Sequence, residues 1–405
     1  MKTANQNSFT LVELLVVIGI LAVLTAAVIL IINPVEYLRK ARDVTRMNDL
    51  GSIDKALSVL ETQGFTSFGT ASTVYVSIAD NASSTCGSLG LSALPSGWSY
   101  HCVSSTNLQK TDGNGWIPVN FTQSSALSFS NLPLDPVNAT STTGNYYYTY
   151  VTGGSWALSS PLESQKYLSE IAAQDRGYNV PGRYEVGSDL SLIGESQGLV
   201  GWWKFNEGSG TTVHDHSGNG HDMTLVTGHE PTWTSIGLNI ASNQYTSMDL
   251  PAISPGLSVS MVLKSTWGTY GSKWGYGLGA TGFAAYQLAP NPNTGKSSFD
   301  TASGHSLINT SDWVDDATHA LSLSIDASTA VTYKDGVAGS DPGNTAGAID
   351  VPALTWFVGG GTLGGTSISG VSYLILYSVA LAPADQAANY AFLKIEMARR
   401  GVTLP

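Results

Sequence analysis

Charge is scarce in this chain. Of 405 residues only 12% are Asp, Glu, Lys or Arg, and 30 acidic residues against 18 basic ones give a net charge of −12. Phosphate backbones are held by clustered cations, and no basic run follows the first 46 residues, which argues against broad nucleic-acid affinity. Cysteine is nearly absent: Cys86 and Cys102 are the only two, too few for a four-cysteine zinc site. After residue 199 the only glutamates are Glu207, Glu230 and Glu396, far apart in sequence. Glycoside hydrolysis needs two carboxylates flanking one bond, and neither a nucleophile elbow nor a phosphate loop is present. No enzyme is expected. Apolar runs long enough for a bilayer are also missing, with one exception, residues 9–32.

That run reads Phe9-Thr-Leu-Val-Glu13 and then stays apolar to Ile32, so its single charge sits at its start. A charged side chain in hydrocarbon costs about 2.5–3.5 kcal/mol on insertion scales, so an intramembrane Glu calls for a partner. A cut between Ser8 and Phe9 would supply one, the cationic amine of Phe9 on a neighbouring copy. Met1 to Ser8 is then a short polar leader containing Lys2. These residues resemble the type III signal of type IV pilins and type II secretion pseudopilins, in which a basic leader precedes a cut before Phe. The resemblance implies that a prepilin peptidase removes the leader and N-methylates Phe9, and that Glu13 pairs with a neighbour's amine during polymerisation. The family usually has Gly where this chain has Ser8.

As a helix, residues 9–32 would extend roughly 36 Å, enough to span a bilayer. Asn33-Pro34 marks the exit, where Pro kinks or restarts a helix. An amphipathic stripe follows, with Leu38, Leu50, Ile53, Leu57 and Leu60 near three- and four-residue spacing. Arg39, Lys40, Arg42 and Arg46 crowd its first turns beside Glu36 and Asp43; they read as a solvated or subunit-facing surface, with lipid headgroups as the other reading.

Beyond the helix, 44 Gly and abundant Ser, Thr and Tyr fit β-rich modules. Cys86 and Cys102 fall in one polar stretch of an ectodomain that would lie outside the cytoplasm, so a disulfide is expected. The competing metal pair with His101 lacks a fourth ligand. Short strands are expected at 74–78, 98–100, 116–121, 146–151 and 156–158, forming an antiparallel sheet on the long helix. Asp135-Pro136 reads as turn chemistry, the alternative being a calcium ligand of the kind some pseudopilin-like heads carry. Gly177, Pro181-Gly182, Gly187, Gly194 and Gly198 then punctuate a boundary, and the two halves are expected to fold independently.

The second half opens with Gly198-Leu-Val-Gly-Trp-Trp-Lys-Phe205 and continues through Asp215-His-Ser-Gly-Asn-Gly220. Strands follow at Leu257–Lys264, Thr318–Ser324, Ala330–Val337 and Ile368–Tyr377, with an Asp335-Gly336 turn and a closing helix from Pro383. In this order they resemble the laminin-G-like, concanavalin A-like jelly roll of extracellular bacterial proteins. Trp267, Tyr270, Trp274, Tyr276 and Tyr286, interleaved with Gly, are the candidate sugar-stacking residues. Asp215 and Asn219 are candidate calcium ligands or a self-bonded tight turn; His214, His216 and His221 have spacings that suit a transition metal but no defined fourth ligand.

The expected fold is therefore an α+β pilin followed by an all-β jelly-roll sandwich. Its segments are a leader (1–8), an N-terminal helix (9–60, transmembrane over 9–32), a globular head (61–175), a linker (176–198) and the jelly roll (199–405). The expected function is a type IV pilin-like subunit carrying a lectin-like adhesion domain. Alternatives are a secretion pseudopilin, a DNA-uptake pilin and a spacer whose jelly roll binds nothing. Expected partners are other pilin subunits, prepilin peptidase, the membrane before assembly and a glycan or cell-surface ligand. The expected location is the inner or cytoplasmic membrane first and an extracellular filament afterwards.

Overall fold

The computed structural model describes residues 10–126, 129–141, 144–173, 180–241, 243–254, 256–265, 278–280, 287–290, 297–301, 304–306, 317–326, 330–339, 351, 353–359 and 368–405. Helix α1 (Leu11–Ile32) and helix α2 (Pro34–Thr62) are divided at Asn33, whose left-handed φ of 44° ends one while its side chain accepts the Glu36 amide of the next. Pro34, lacking an N–H, suits the first position of the second helix. Side chains on α1 are described as far as Thr25, and all of them are exposed. Among the described residues, no helix is long and apolar enough to cross a membrane.

The buried stripe of α2 is Asp43, Arg46, Leu50, Ile53, Ala56, Leu57 and Leu60. Leu38, expected on that stripe, is 62% exposed; before Asp43 the head meets α2 through polar side chains, Glu36 accepting the Gln165 amide and Arg42 donating to Glu163. The head contains β1 (Thr73–Val76), β2 (Ser99–His101), β3 (Ala139–Ser141), β4 (Gly144–Tyr146), β5 (Thr149–Thr152), β6 (Trp156–Pro161), α3 (Gln165–Ala173), β7 (Arg183–Gly187) and α4 (Ser191–Ser196). Its sheet runs β2-β1-β5-β6-β7, with β3-β4 a separate hairpin. The sheet is mixed, not wholly antiparallel, since β1 and β2 pair in parallel. Residues 116–121, expected as a strand, instead form an irregular segment joined by an Asp112–Asn120 bridge. Trp116, Ile117, Val119 and Phe121 are nonetheless buried against α2 and the sheet, so their apolar pattern reflects burial without strand pairing. The Cys86–Cys102 disulfide closes the excursion between β1 and β2.

Residues 183–187 lie inside the expected linker but form the edge strand β7, in register with β6 from Ala157↔Gly187 to Pro161↔Arg183. The boundary segment is part of the head.

The second half holds β8 (Leu199–Trp203), β9 (Thr212–Val213), β10 (Met223–Leu225), β11 (Thr232–Trp233), β12 (Leu238–Asn239), β13 (Tyr245–Leu250), β14 (Leu257–Ser265), β15 (Leu278–Ala280) and β16 (Gln287–Pro290). It continues with β17 (Ser297–Thr301), β18 (Gly304–Ser306), β19 (Thr318–Ile325), β20 (Ala330–Lys334), β21 (Val337–Ala338), β22 (Leu354–Gly359), β23 (Ile368–Tyr377) and α5 (Pro383–Arg399). One sheet runs β18-β17-β16-β15-β22-β13-β10-β9, and the other runs β11-β12-β23-β14-β19-β20-β21 with β8 also paired to β23. The two form a β-sandwich whose core includes Trp203, Met223, Leu250, Met261, Leu323, Trp356, Leu374 and Leu376. The β20–β21 turn has φ of 50° at Asp335 and 77° at Gly336, the twin positive values of the tight hairpin turn that Asp-Gly favours.

The second sheet is covered on its other face as well. Tyr373, Ile375, Tyr377 and Val262 project away from the sandwich into a cluster with Phe392, Leu393 and Met397 of α5 and with Val74, Val151, Leu162, Leu168 and Ile193 of the head. Burial on both faces explains why β23 reads as a nearly continuous apolar run. The two halves thus pack together through one shared hydrophobic cluster, where the Gly and Pro punctuation led to an expectation of independent folding. That punctuation marks turns, and turns do not reveal what the flanking strands pack against.

Candidate functional site

At the start of α1 the Thr10 hydroxyl accepts the Glu13 amide at 3.2 Å, while the Thr10 amide and hydroxyl each donate to the Glu13 carboxylate at 2.9 Å. This capping box satisfies orphan donors of the first turn and fixes the carboxylate beside the chain entry. Around it Leu11, Val12, Leu14, Leu15, Val16, Val17 and Ile18 are all 48% exposed or more. A helix apolar on every side is stable only inside lipid or among other apolar helices. Ser8 and Phe9 lie outside the described residues.

Helix α2 is seated in the head by ions as well as by its apolar stripe. Arg46 has no exposed surface and takes two bonds to Asp135 (Nε to Oδ2 2.7 Å, Nη2 to Oδ1 3.0 Å), with Nη1 at 2.8 Å from Asp43 and 2.6 Å from Glu163. Arg42 donates to the same Glu163 carboxylate, and the Tyr146 ring lies 5.2 Å from the Arg46 guanidinium. Asp43 also accepts the Glu163 and Ser164 amides ahead of α3. Burial opposes the charge on Arg46, but Asp135 and Glu163 overcome it and hold the guanidinium above its ordinary value. Burial likewise pushes Glu163 up, and Arg42 and Arg46 outweigh it to hold that carboxyl below its usual range. Sequence reading placed Arg42 and Arg46 on a solvated or subunit-facing surface. The carboxylates that bury Arg46 come partly from residues 135 and 163, and no helical spacing signals them. Asp135, weighed above as turn or calcium ligand, also accepts the Val137 amide at 2.8 Å and so combines turn geometry with a buried ion pair.

In the sandwich, Asp215 accepts from the Trp202, Ser217 and His221 amides and from the Ser217 hydroxyl. Asn219 donates to the Leu199 and Val200 carbonyls. The pair thereby ties the loop back onto β8. His214 lies 3.2 Å from Asp222, and among the described residues no group of three His, Cys, Asp or Glu side chains is placed to hold a metal. Trp267, Tyr270, Trp274, Tyr276 and Tyr286 lie outside the described residues.

A third polar set, not foreseen, lies on the seam between the halves. Ala382 begins α5 without a capping side chain. Ser92, from the head, accepts the Ala382 amide at 2.8 Å and donates to Asp385. Burial pushes the Asp385 carboxyl up, partly offset by Ser92, Arg183 and Asn145. Arg183 donates to Ser159 at 2.9 Å and to Thr149 at 3.5 Å. The one hint in the sequence was Ala382-Pro383-Ala-Asp385, a helix start with no residue able to cap it.

Residues 3–29 match the prokaryotic N-terminal methylation motif. No curated protein matches the chain. Among solved structures, a Trypanosoma rangeli sialidase is 15% identical over 64% of this chain and 46% of its own, with a TM-score of 0.39. Domain 4 of AbnA, a GH43 extracellular arabinanase from Geobacillus stearothermophilus, in complex with arabinotriose, is 18% identical over 48% of this chain and 98% of its own, with a TM-score of 0.37. The botulinum neurotoxin serotype G binding domain is 10% identical over 48% of this chain and 51% of its own, with a TM-score of 0.40. The chain thus spans less than half the length of that sialidase.

Proposed function

We propose that this chain, which carries the prokaryotic N-terminal methylation motif, is a type IV pilin-like filament subunit whose C-terminal sandwich binds a surface glycan. The observation that carries the assembly half is α1: apolar on every described side, exposed as far as its side chains are described, to Thr25, with one carboxylate in its first turn. Before assembly this apolar helix anchors the subunit in the membrane. Prepilin peptidase removes Met1–Ser8 and methylates Phe9, and the Phe9 amine of one copy then meets Glu13 of the next. The transfer from lipid to filament keeps the apolar surface dry in both states, so its free-energy difference is small and the Glu13–amine pairing sets direction and register.

The binding half rests on the interleaved aromatics of 267–286 and on the lack of an evident catalytic pair among the described residues. Glu207 accepts the His214 amide, Glu230 accepts the Gly228 amide, and Glu396 pairs with Arg399 and Arg400. We assign the subunit binding and assembly and no reaction; the sandwich is read as a jelly roll of the laminin-G type.

Two measurements on shed filaments test this. Intact mass should correspond to a chain beginning at N-methylated Phe9, and a mass retaining the leader defeats the filament reading. Glu13→Gln should be inserted and cleaved normally but incorporated poorly, and wild-type incorporation would remove Glu13 from its role. For the binding half, glycan-array signal from the full chain should disappear when Trp267 and Trp274 are replaced by Ala.

A further inference from the structure

The seam between head and sandwich encloses a cavity of about 260 Å³. Its walls come from both halves: Asn145, Leu162 and Arg183 from the head, Tyr377 from β23, and Asp385 and Ala388 from α5. A smaller cavity of about 40 Å³ adjoins it through Arg183, Gln197, Leu381 and Asp385. Small-molecule sites usually measure roughly 300–1,000 Å³, so the larger cavity suits a compact ligand of one or two rings.

Four features narrow the chemistry. Arg183 and Asp385 oppose one another in sign, Glu163 is paired with Arg42 and Arg46, and Arg39 lies 4.0 Å from Glu36, so the lining favours no strongly charged ligand. Hydroxyls are already the partners of both: Arg183 donates to Ser159 and Thr149, and Asp385 accepts from Ser92. Asn145 is 8% exposed; its side-chain amide acts on the Asp385 carboxyl, but Nδ2 makes no hydrogen bond within normal limits of distance and angle. A buried donor so poorly paired is costly, and a ligand oxygen would complete its hydrogen bonding. Between these polar groups Leu162, Leu168, Val180 and Leu381 offer apolar wall, the surface that the C–H face of a sugar ring covers and that water leaves unsatisfied.

We propose that this seam cavity is a binding site for a neutral mono- or disaccharide, distinct from the loop aromatics of the sandwich. Asn145 donates to a ring or hydroxyl oxygen, while Asp385 accepts from and Arg183 donates to neighbouring hydroxyls. Because both halves form the walls, an occupied site holds the sandwich to the head.

The test is calorimetric titration of the detergent-solubilised full chain with glucose, galactose, N-acetylglucosamine and lactose, and with cationic arginine and anionic citrate as charged comparators. One sugar should bind at a single site with millimolar affinity or better. Ala388→Trp, on the exposed rim, and Asn145→Ala should each weaken it at least tenfold. Ala388→Trp alters only the rim, so it remains informative should the buried Asn145 variant fold poorly. Three results would each overturn the proposal: no sugar binds, only a charged comparator binds, or sugar binds equally to parent and Ala388→Trp. The last would leave the loop aromatics as the sugar site and the reading of the sandwich intact.

Discussion

Ser92 caps a helix that begins 290 residues later: its hydroxyl accepts the Ala382 amide at 2.8 Å and donates to Asp385 in the first turn of α5. The orphan amides at a helix start must find acceptors, and an Ala in the capping position has none to offer. A residue of the head does that work, so α5 is completed only when head and sandwich are docked.

Ser92→Ala should therefore destabilise the full chain by about 1 kcal/mol, the ordinary cost of a lost cap. Ser92→Thr should restore most of it. Chemical denaturation of the parent and the two variants reads the effect, and equal midpoints for the parent and the Ser92→Ala chain would show the cap to be dispensable.

Deleting 199–405 should not leave a competent subunit. Removal would expose Val151, Leu162, Leu168 and Ile193, now packed against Tyr373, Phe392 and Met397, and exposed apolar area costs roughly 25 cal/mol per Å². The truncated chain should still lose its leader, since that step needs only the N-terminal segment, but it should aggregate or be degraded before entering filaments. Immunoblots of membrane and filament fractions decide this; normal incorporation would mean that the head folds without its partner.

Arg46→Met should be among the most damaging single changes outside the apolar core. It leaves Asp43, Asp135 and Glu163 facing one another with only Arg42 nearby, and removing one partner of a buried ion pair costs about 3–5 kcal/mol. Arg46→Lys should rescue little, because an ammonium cannot reproduce the fork that grips both Asp135 oxygens. Urea titration with tryptophan fluorescence would expose the loss, and a change under about 1 kcal/mol would contradict the assigned role.

Two carboxyls should give the stability curve opposite slopes. Burial pushes Glu185 up to about 8 from an ordinary 4.5, despite the Val180 amide and Arg183. The folded state therefore holds that proton after the unfolded state has lost it, so this contribution is complete below the unfolded value near 4.5 and declines as pH rises to about 8. Glu163, held low, contributes above its unfolded value of 4.5 and loses that contribution as pH falls through its lower folded value. Glu185→Gln should flatten the decline between pH 4.5 and 8 and stabilise the protein at the upper end. Unfolding midpoints across that range check it, and an unchanged slope would place the titration elsewhere.

Much of this protein is local enough to be read from its residues. The apolar run with Glu13 at its start is contiguous, and the capping box Thr10–Glu13 lies within four residues. The helix break needs only Asn33-Pro34. The Asp335-Gly336 turn carries its own positive φ values, and Cys86 and Cys102 had no other cysteine to choose. The closing helix announces itself at Pro383. Each of these depends on interactions between near neighbours or on a composition with one solution.

What tertiary structure decided lies between distant residues. The pattern of α2 shows an apolar stripe but cannot show that Arg46 joins it, since that requires Asp135 and Glu163 to arrive from 89 and more residues away. The apolar run of β23 shows a buried strand but not that its second face meets α5 and the head. Residues 183–187 look like boundary in a Gly-rich sequence and become a strand only because β6 offers them a free edge. A side chain's environment is set by whatever packs over it, and periodicity fixes only the direction in which it points.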